Sequence, residues 1–249
     1  MIVTEIEVHE VECMHHEWIR DTLDHYFEES KRFIFIAHTD TGLTGLGEAS
    51  SDQSEVIDQY IGTNPFQWIG DSTSLGLGTA MYDLMGKAVG VPVWQLVGPQ
   101  QRGYVPVGSW TVSAEPAHMA EAVQRYAARG YTWMKYHLSP FQNVIDQVEA
   151  IAAVAPPGFK LHLDFTMEPL EGHTYLCERL AQYDCVGVFE DSFAPEDIMA
   201  YKELKARAGR PVVLHHAPMG FTTEVIMDMC VSTSRCTPLN AKSFRTLNC

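Results

Sequence analysis

The sequence predicts an α/β fold: a partial (β/α) TIM-like barrel of about five βα units, preceded by an α+β capping domain. Three observations carry that expectation. Apolar runs end four times in polar or ionisable groups, at Met134-Lys135-Tyr136-His137, Leu161-His162-Leu163-Asp164, Val188-Phe189-Glu190-Asp191 and Val213-Leu214-His215-His216. The endings recur at a spacing that fits one strand and one helix: Asp164 to Glu190 and Glu190 to His216 are each 26 residues, and Lys135 to Asp164 is 29. The N-terminal stretch alternates with period two, as an antiparallel meander does. Repeated βα units with right-handed crossovers make a parallel sheet whose strands all end on one side, so the ionisable endings would gather at that edge.

In chain order, residues 2–13 and Arg32–His38 read as strands, Asp40-Thr41-Gly42 as the turn after the second, and Thr44–Ala49 as the third. Between the first two strands lies His15-His16-Glu17-Trp18, a polar and aromatic loop that is either plain surface or a flap over a site elsewhere. The period then becomes helical. Ser54–Ile61 is a short helix, and Leu75–Val89 carries Leu77, Ala80, Met81, Leu84, Met85 and Ala88 along one face. Gly90-Val91-Pro92 ends that helix, and Val93–Val97 adds a last turn. From Tyr104 onward, strands are expected at about 104–110, 132–138, 160–165, 186–191 and 211–216. Helices are expected near 115–129, 142–155, 170–183, 195–208 and 221–230, with Gly130, Pro156-Pro157-Gly158 and Gly209 as stops.

Composition narrows the function classes. A 46% hydrophobic content with 10% aromatics describes an ordinary globular core. A formal charge of −15 and a pI near 5.0 exclude the clustered Lys/Arg that nucleic acid or anionic lipid requires. The N-terminus lacks a basic segment followed by a continuous apolar run, and no stretch approaches 18 apolar residues, so a cytoplasmic protein with no membrane partner is expected. Six cysteines without CxxC or zinc-finger spacing point to reduced thiols.

The expected organisation is a capping domain over residues 1–103, an incomplete barrel over 104–230 and an irregular tail over 231–249. A closed eight-stranded barrel would need three more units, roughly 75–80 residues at this spacing. Val231–Cys249 has no Asp or Glu, three basic residues (Arg235, Lys242, Arg245) and no strand or helix period. It reads as the mark of a truncation or frame shift, with a natural short tail as the alternative.

The strand ends suggest a metal centre. Asp164 and Glu190, at the tips of adjacent parallel strands, would lie about 5 Å apart at the backbone, close enough to bind one hard cation. His216, one strand further, would complete the set, although His215 beside it competes for the inward position, and an imidazole ligand widens tolerance toward Mn²⁺. The bland alternative is that both carboxylates cap following helices. Lys135 and His137 are two apart and share a face; beside a divalent cation the lysine would titrate lower, and the histidine titrates near neutrality, so both suit acid/base work.

The chain resembles the enolase superfamily, in particular the mandelate racemase and muconate lactonizing enzyme group. Three segments carry the resemblance: Leu43-Thr44-Gly45-Leu46-Gly47-Glu48-Ala49, the run from Ala80-Met81-Tyr82-Asp83 through Gly90-Val91-Pro92-Val93-Trp94 to Gly98, and the strand-end series Lys135, Asp164, Glu190 and His216. It implies a capping domain over a modified barrel, bound Mg²⁺ (with Mn²⁺ or another divalent ion as the alternative), and abstraction of the proton α to a carboxylate. Where the family usually has Lys-x-Lys, this chain has Lys135-Tyr136-His137; His216 stands where an acidic ligand is usual; and Asp-x-Asn reads Asp164-Phe165-Thr166. The function expected from it is metal-assisted dehydration or racemisation of a hydroxy acid or sugar acid, impaired in a shortened chain. Asp164, Glu190 and His216 would hold the ion, His137 would act as base and Lys135 would polarise the substrate carboxylate. The partner would be a small-molecule carboxylate, with a homo-oligomer open. Alternatives are a non-catalytic metal- or acid-binding remnant of the same fold, or an unrelated open α/β fold.

Overall fold

The computed structural model describes residues 1–15, 20, 31–100, 102–139, 141–165, 173–194 and 196–215. The chain forms two compact units, one over Met1–Val105 and one beginning at Pro106.

In the first unit, β1 (Val3–Glu12), β2 (Lys31–Thr39) and β3 (Thr44–Ala49) make an antiparallel meander in that order. The register pairs Phe35 with Gly47 and Ala37 with Gly45, so these residues share one face of the sheet. A short 3-10 turn (Ser54–Val56) and α1 (Ile57–Tyr60) follow, and then α2 (Leu75–Val89) packs against the meander. The helix begins where Ser74 Oγ accepts a hydrogen bond from Leu77 N at 3.0 Å, and it ends at Gly90, whose φ of 72° is left-handed. Its backbone lies directly on β3: a methyl group on Gly47 would sit 1.9 Å from the Gly76 carbonyl oxygen, and one on Gly45 would sit 2.3 Å from that of Ala80. The expected stripe of Leu77, Ala80, Met81, Leu84 and Met85 is fully buried with Val3, Phe35, Ala37 and Tyr60, while Ala88 in the last turn is exposed. The α3 turn (Val93–Val97) follows.

The second unit is a five-stranded parallel sheet in the order β4 (Ser109–Val112), β5 (Trp133–His137), β6 (Lys160–Asp164), β7 (Val186–Glu190) and β8 (Val212–Val213). Connecting the strands are α4 (Pro116–Ala128), α5 (Val144–Ala152), α6 (His173–Leu180) and α7 (Ile198–Arg207), and α4 packs on α5 as α6 packs on α7. The first strand starts later than the expected 104: Tyr104, Val105 and Val107 are 85%, 69% and 75% exposed, and Pro106 between them has no N–H to give a ladder. Alternation divides the sheet into two faces. Met134, Tyr136, Leu161, Leu163 and Phe189 lie on a buried apolar face, and Lys135, His137, His162, Asp164 and Glu190 lie on the other. The β6–β7 register slips between Leu161 and His162, leaving Gly187 as the extra residue, and the Trp133 indole covers it so closely that a methyl there would meet ring carbon at 2.5 Å. No described helix is long and apolar enough to cross a membrane. The expected helix at 221–230, the tail at 231–249 and most of the His15–Trp18 loop lie outside the described residues.

Candidate functional site

Parallel pairing sets the site's geometry before any side chain is considered. Trp110, Lys135, His162 and Val188 run at one level across β4 to β7, and Val112, His137, Asp164 and Glu190 run at the next. Each residue keeps its strand's parity, so the ionisable groups of three strands converge on one face near the carboxyl ends. At the end of β7 the chain turns sharply through Asp191, whose φ of 46° is left-handed for a residue with a Cβ. Its N–H donates to Val213 O at 3.1 Å, and its Oδ1 accepts from His215 N at 2.6 Å, so the turn ties β7 to the chain just beyond β8.

Lys135 is the hub. Its ammonium forms ion pairs with Asp164 Oδ2 at 2.9 Å and Glu190 Oε2 at 2.7 Å, bringing oxygens from two strands onto one cationic point. His137 Nε2 is 3.1 Å from the same Asp164 Oδ2, and because a carboxylate can only accept, Nε2 is the donor side of that contact. Trp110 meets the His137 ring edge-on at a centroid distance of 5.5 Å, fixing its plane. Glu190, with no exposed surface, also has the imidazole of His162 close against Oε2, and its Oε1 is hydrogen-bonded with His215 Nδ1 at 3.0 Å.

These contacts set the charges. Burial raises the cost of a charge on Glu190, but hydrogen bonds from His162 and Lys135 outweigh it and hold the carboxyl well below the usual range. Burial likewise works against the Lys135 ammonium, yet the bonds from it to Glu190 and Asp164 prevail and raise its pKa. Facing two carboxylates, the lysine is held as a cation.

Of the residues expected at the site, Lys135, His137, Asp164 and Glu190 lie together, and His216 lies outside the described residues. Its neighbour His215 turns its ring to Glu190. His162 was not anticipated. The signal was available, since it stands two residues before Asp164 and shares its face, but it looked like one more residue in an apolar run. Among the described residues, no three His, Cys, Asp or Glu side chains stand arranged to hold a metal ion.

Comparison with known proteins agrees with this architecture. Residues 118–235 match the family described as enolase C-terminal domain-like. A D-galactonate dehydratase from Xanthomonas oryzae pv. oryzae is 26% identical over 155 residues, a match that takes in 51% of this chain and 40% of that protein, so the chain spans about two fifths of the curated relative's length. A solved enolase superfamily member from Roseovarius nubinhibens superposes with a TM-score of 0.72 at 16% identity, covering 98% of this chain and 73% of that one. A dipeptide epimerase from Enterococcus faecalis, solved with Mg and the dipeptide L-Leu-L-Tyr, superposes with a TM-score of 0.67 at 19% identity, covering 86% and 68%. Over residues 118–235 the chain is thus similar in sequence to the enolase C-terminal domain-like family, and the solved neighbours share its fold.

Proposed function

We propose that this site abstracts the proton α to a carboxylate in a hydroxy acid or sugar acid, with a divalent cation's help, leading to dehydration or racemisation. One observation carries the reading: Asp164 Oδ2 and Glu190 Oε2 both approach the Lys135 ammonium, at 2.9 and 2.7 Å, so two oxygens from adjacent strands already converge where a single cation can sit. That pair fits Mg²⁺ or Mn²⁺ as two ligands of a larger set, and His216 is the proposed third. Such an ion supplies positive charge against the negative charge that builds on a substrate carboxylate as its α-proton leaves.

The chain's own residues do the rest. His137 Nδ1 receives the proton, because Nε2–H is committed to Asp164, and Trp110 keeps the ring from swinging away. With an ion on the two carboxylates, the Lys135 ammonium would be displaced from them and would take an oxygen of the substrate carboxylate. The relatives named above, a dehydratase and an epimerase, are consistent with chemistry of this class.

A second reading has an observation in its favour. Lys135 already neutralises both carboxylates from within, as would suit a remnant that binds a metal or small acid without turnover. Isothermal titration with Mg²⁺ and Mn²⁺, paired with α-proton exchange of candidate acids in D₂O, separates the two. The enzyme reading expects cation binding that is lost in Asp164→Asn, together with exchange that drops by about 10²-fold or more in His137→Ala. Binding with exchange at background would favour the remnant, and no response to either cation would defeat both.

A further inference from the structure

We infer that His173 and the chain directly after β7 form a pH-sensitive clasp, in which the neutral imidazole holds Ser192 and Phe193 in place and a second proton on the ring releases them. The ring stands at the start of α6, and the residue is 2% exposed. Its Nδ1 is hydrogen-bonded with the Ser192 carbonyl oxygen, which can only accept, so Nδ1 is the donor side. Phe165 meets the ring edge-on at a centroid distance of 5.0 Å, and Phe193 lies against it at 5.7 Å. Among the described residues, Nε2 is buried with no hydrogen-bond partner. A proton there would add an N–H with nothing to receive it and a charge shut away from water. The closed clasp and the charged ring therefore exclude each other.

The titratable groups on the elements around the ring are engaged otherwise. On α6, burial pushes the Cys177 thiol up, far from neutrality, and Glu178 pairs with Arg207. At the ends of β6 and β7, Asp164 and Glu190 face Lys135, while Asp191 Oδ1 accepts from His215 N. On α7, the Tyr201 hydroxyl donates to Phe193 O at 2.8 Å, so the segment is held from two helices, by His173 on one and Tyr201 on the other. Burial keeps the His173 imidazole below its ordinary 6.5, and the bond to Ser192 offsets this only in part. The sign follows. Opened to water, the ring takes up a proton below about pH 6.5; closed, it resists doing so. Opening becomes easier as pH falls, by up to about tenfold per pH unit below about 6.5. What loosens is the chain that continues from Glu190 through the left-handed turn at Asp191.

Hydrogen–deuterium exchange of the full chain, followed in peptides spanning residues 190–194 and corrected for the intrinsic rate at each pH, tests this. The N–H groups of Asp191 and Phe193 are both hydrogen-bonded in the closed form. In the dilute parent chain, exchange there should rise by up to about tenfold from about pH 7.5 to about pH 5.5. His173→Asn removes the titration and keeps an amide N–H near the position of Nδ1, so its exchange should stay flat, within about twofold. A rise of less than about twofold in the parent would overturn the inference, and an equal rise in both chains would do so by assigning the effect to other groups. Should thermal melts show that the variant does not fold, NMR titration of the parent decides. The His173 ring should protonate with a midpoint below 6.5 and carry its neutral-state proton on Nδ1, and a midpoint at or above 6.5 would overturn the inference.

Discussion

Individual residues divide sharply by environment. Cys13 is exposed, whereas Cys177 on α6 is fully buried. Burial pushes the Cys177 thiol from the ordinary 9.0 up to about 12, against a weaker opposing hydrogen bond from Ser192 and with the Glu178 charge adding to the rise. In the native chain at about pH 8, Cys177 should resist alkylation while Cys13 reacts, as peptide mapping would reveal. The linkage has a definite sign. Between about pH 9 and 12 the unfolded chain releases this proton and the folded chain keeps it, so stability falls with pH by up to about 1.4 kcal/mol per unit. The difference between parent and Cys177→Ala isolates that slope from the buried Tyr136, whose phenol is also raised; identical pH dependence above pH 9 would refute the assignment. At the site, Lys135, His137, Asp164 and Glu190 were legible because parity and spacing alone bring them to one face. Which atoms they would bond was not, because that depends on cross-strand register and side-chain reach. His162 was passed over for that reason.

Secondary-structure elements follow the sequence most closely where a period is long and its ends are chemically marked. α2 spans Leu75–Val89 as expected, with a serine cap at one end and Gly90 at the other. β4 departs from expectation because Tyr104, Val105 and Val107 imitate strand alternation across a proline that cannot pair. The contact of α2 with β3 was not read from the sequence; its physical content is that the helix backbone rests on the strand at Gly45 and Gly47. Gly47→Ala would drive a methyl against the Gly76 carbonyl, a backbone atom that can move only if the whole helix does. We expect a loss of about 3 kcal/mol, at the upper end for overpacking, and a gain of up to about 1 kcal/mol at Gly78, where nothing lies within 4 Å of an added methyl and a helix gains from replacing glycine. Urea denaturation of Gly47→Ala and Gly78→Ala, side by side, checks this. Equal midpoints would mean that α2 does not bear on β3.

On the scale of the whole molecule, charge was the plainest property of the sequence and remains the one with the broadest consequence. The chain carries 32 acidic against 17 basic side chains, and several large apolar groups stand at its surface, among them Phe141 at 75% exposed and Trp110 and Trp133 at 37% and 39%. At neutral pH a formal charge of −15 opposes association of copies through those groups. As pH falls toward the pI of about 5.0 the repulsion vanishes and apolar contact between copies goes unopposed. Light scattering scanned from about pH 8 to 4 at low ionic strength should therefore rise to a maximum near pH 5 and fall again on the acid side. At pH 7, added salt should increase association by screening like charges over about 10 Å at 0.1 M. Scattering that is flat through pH 5, or that falls with salt at pH 7, would mean that something other than net charge holds the copies apart.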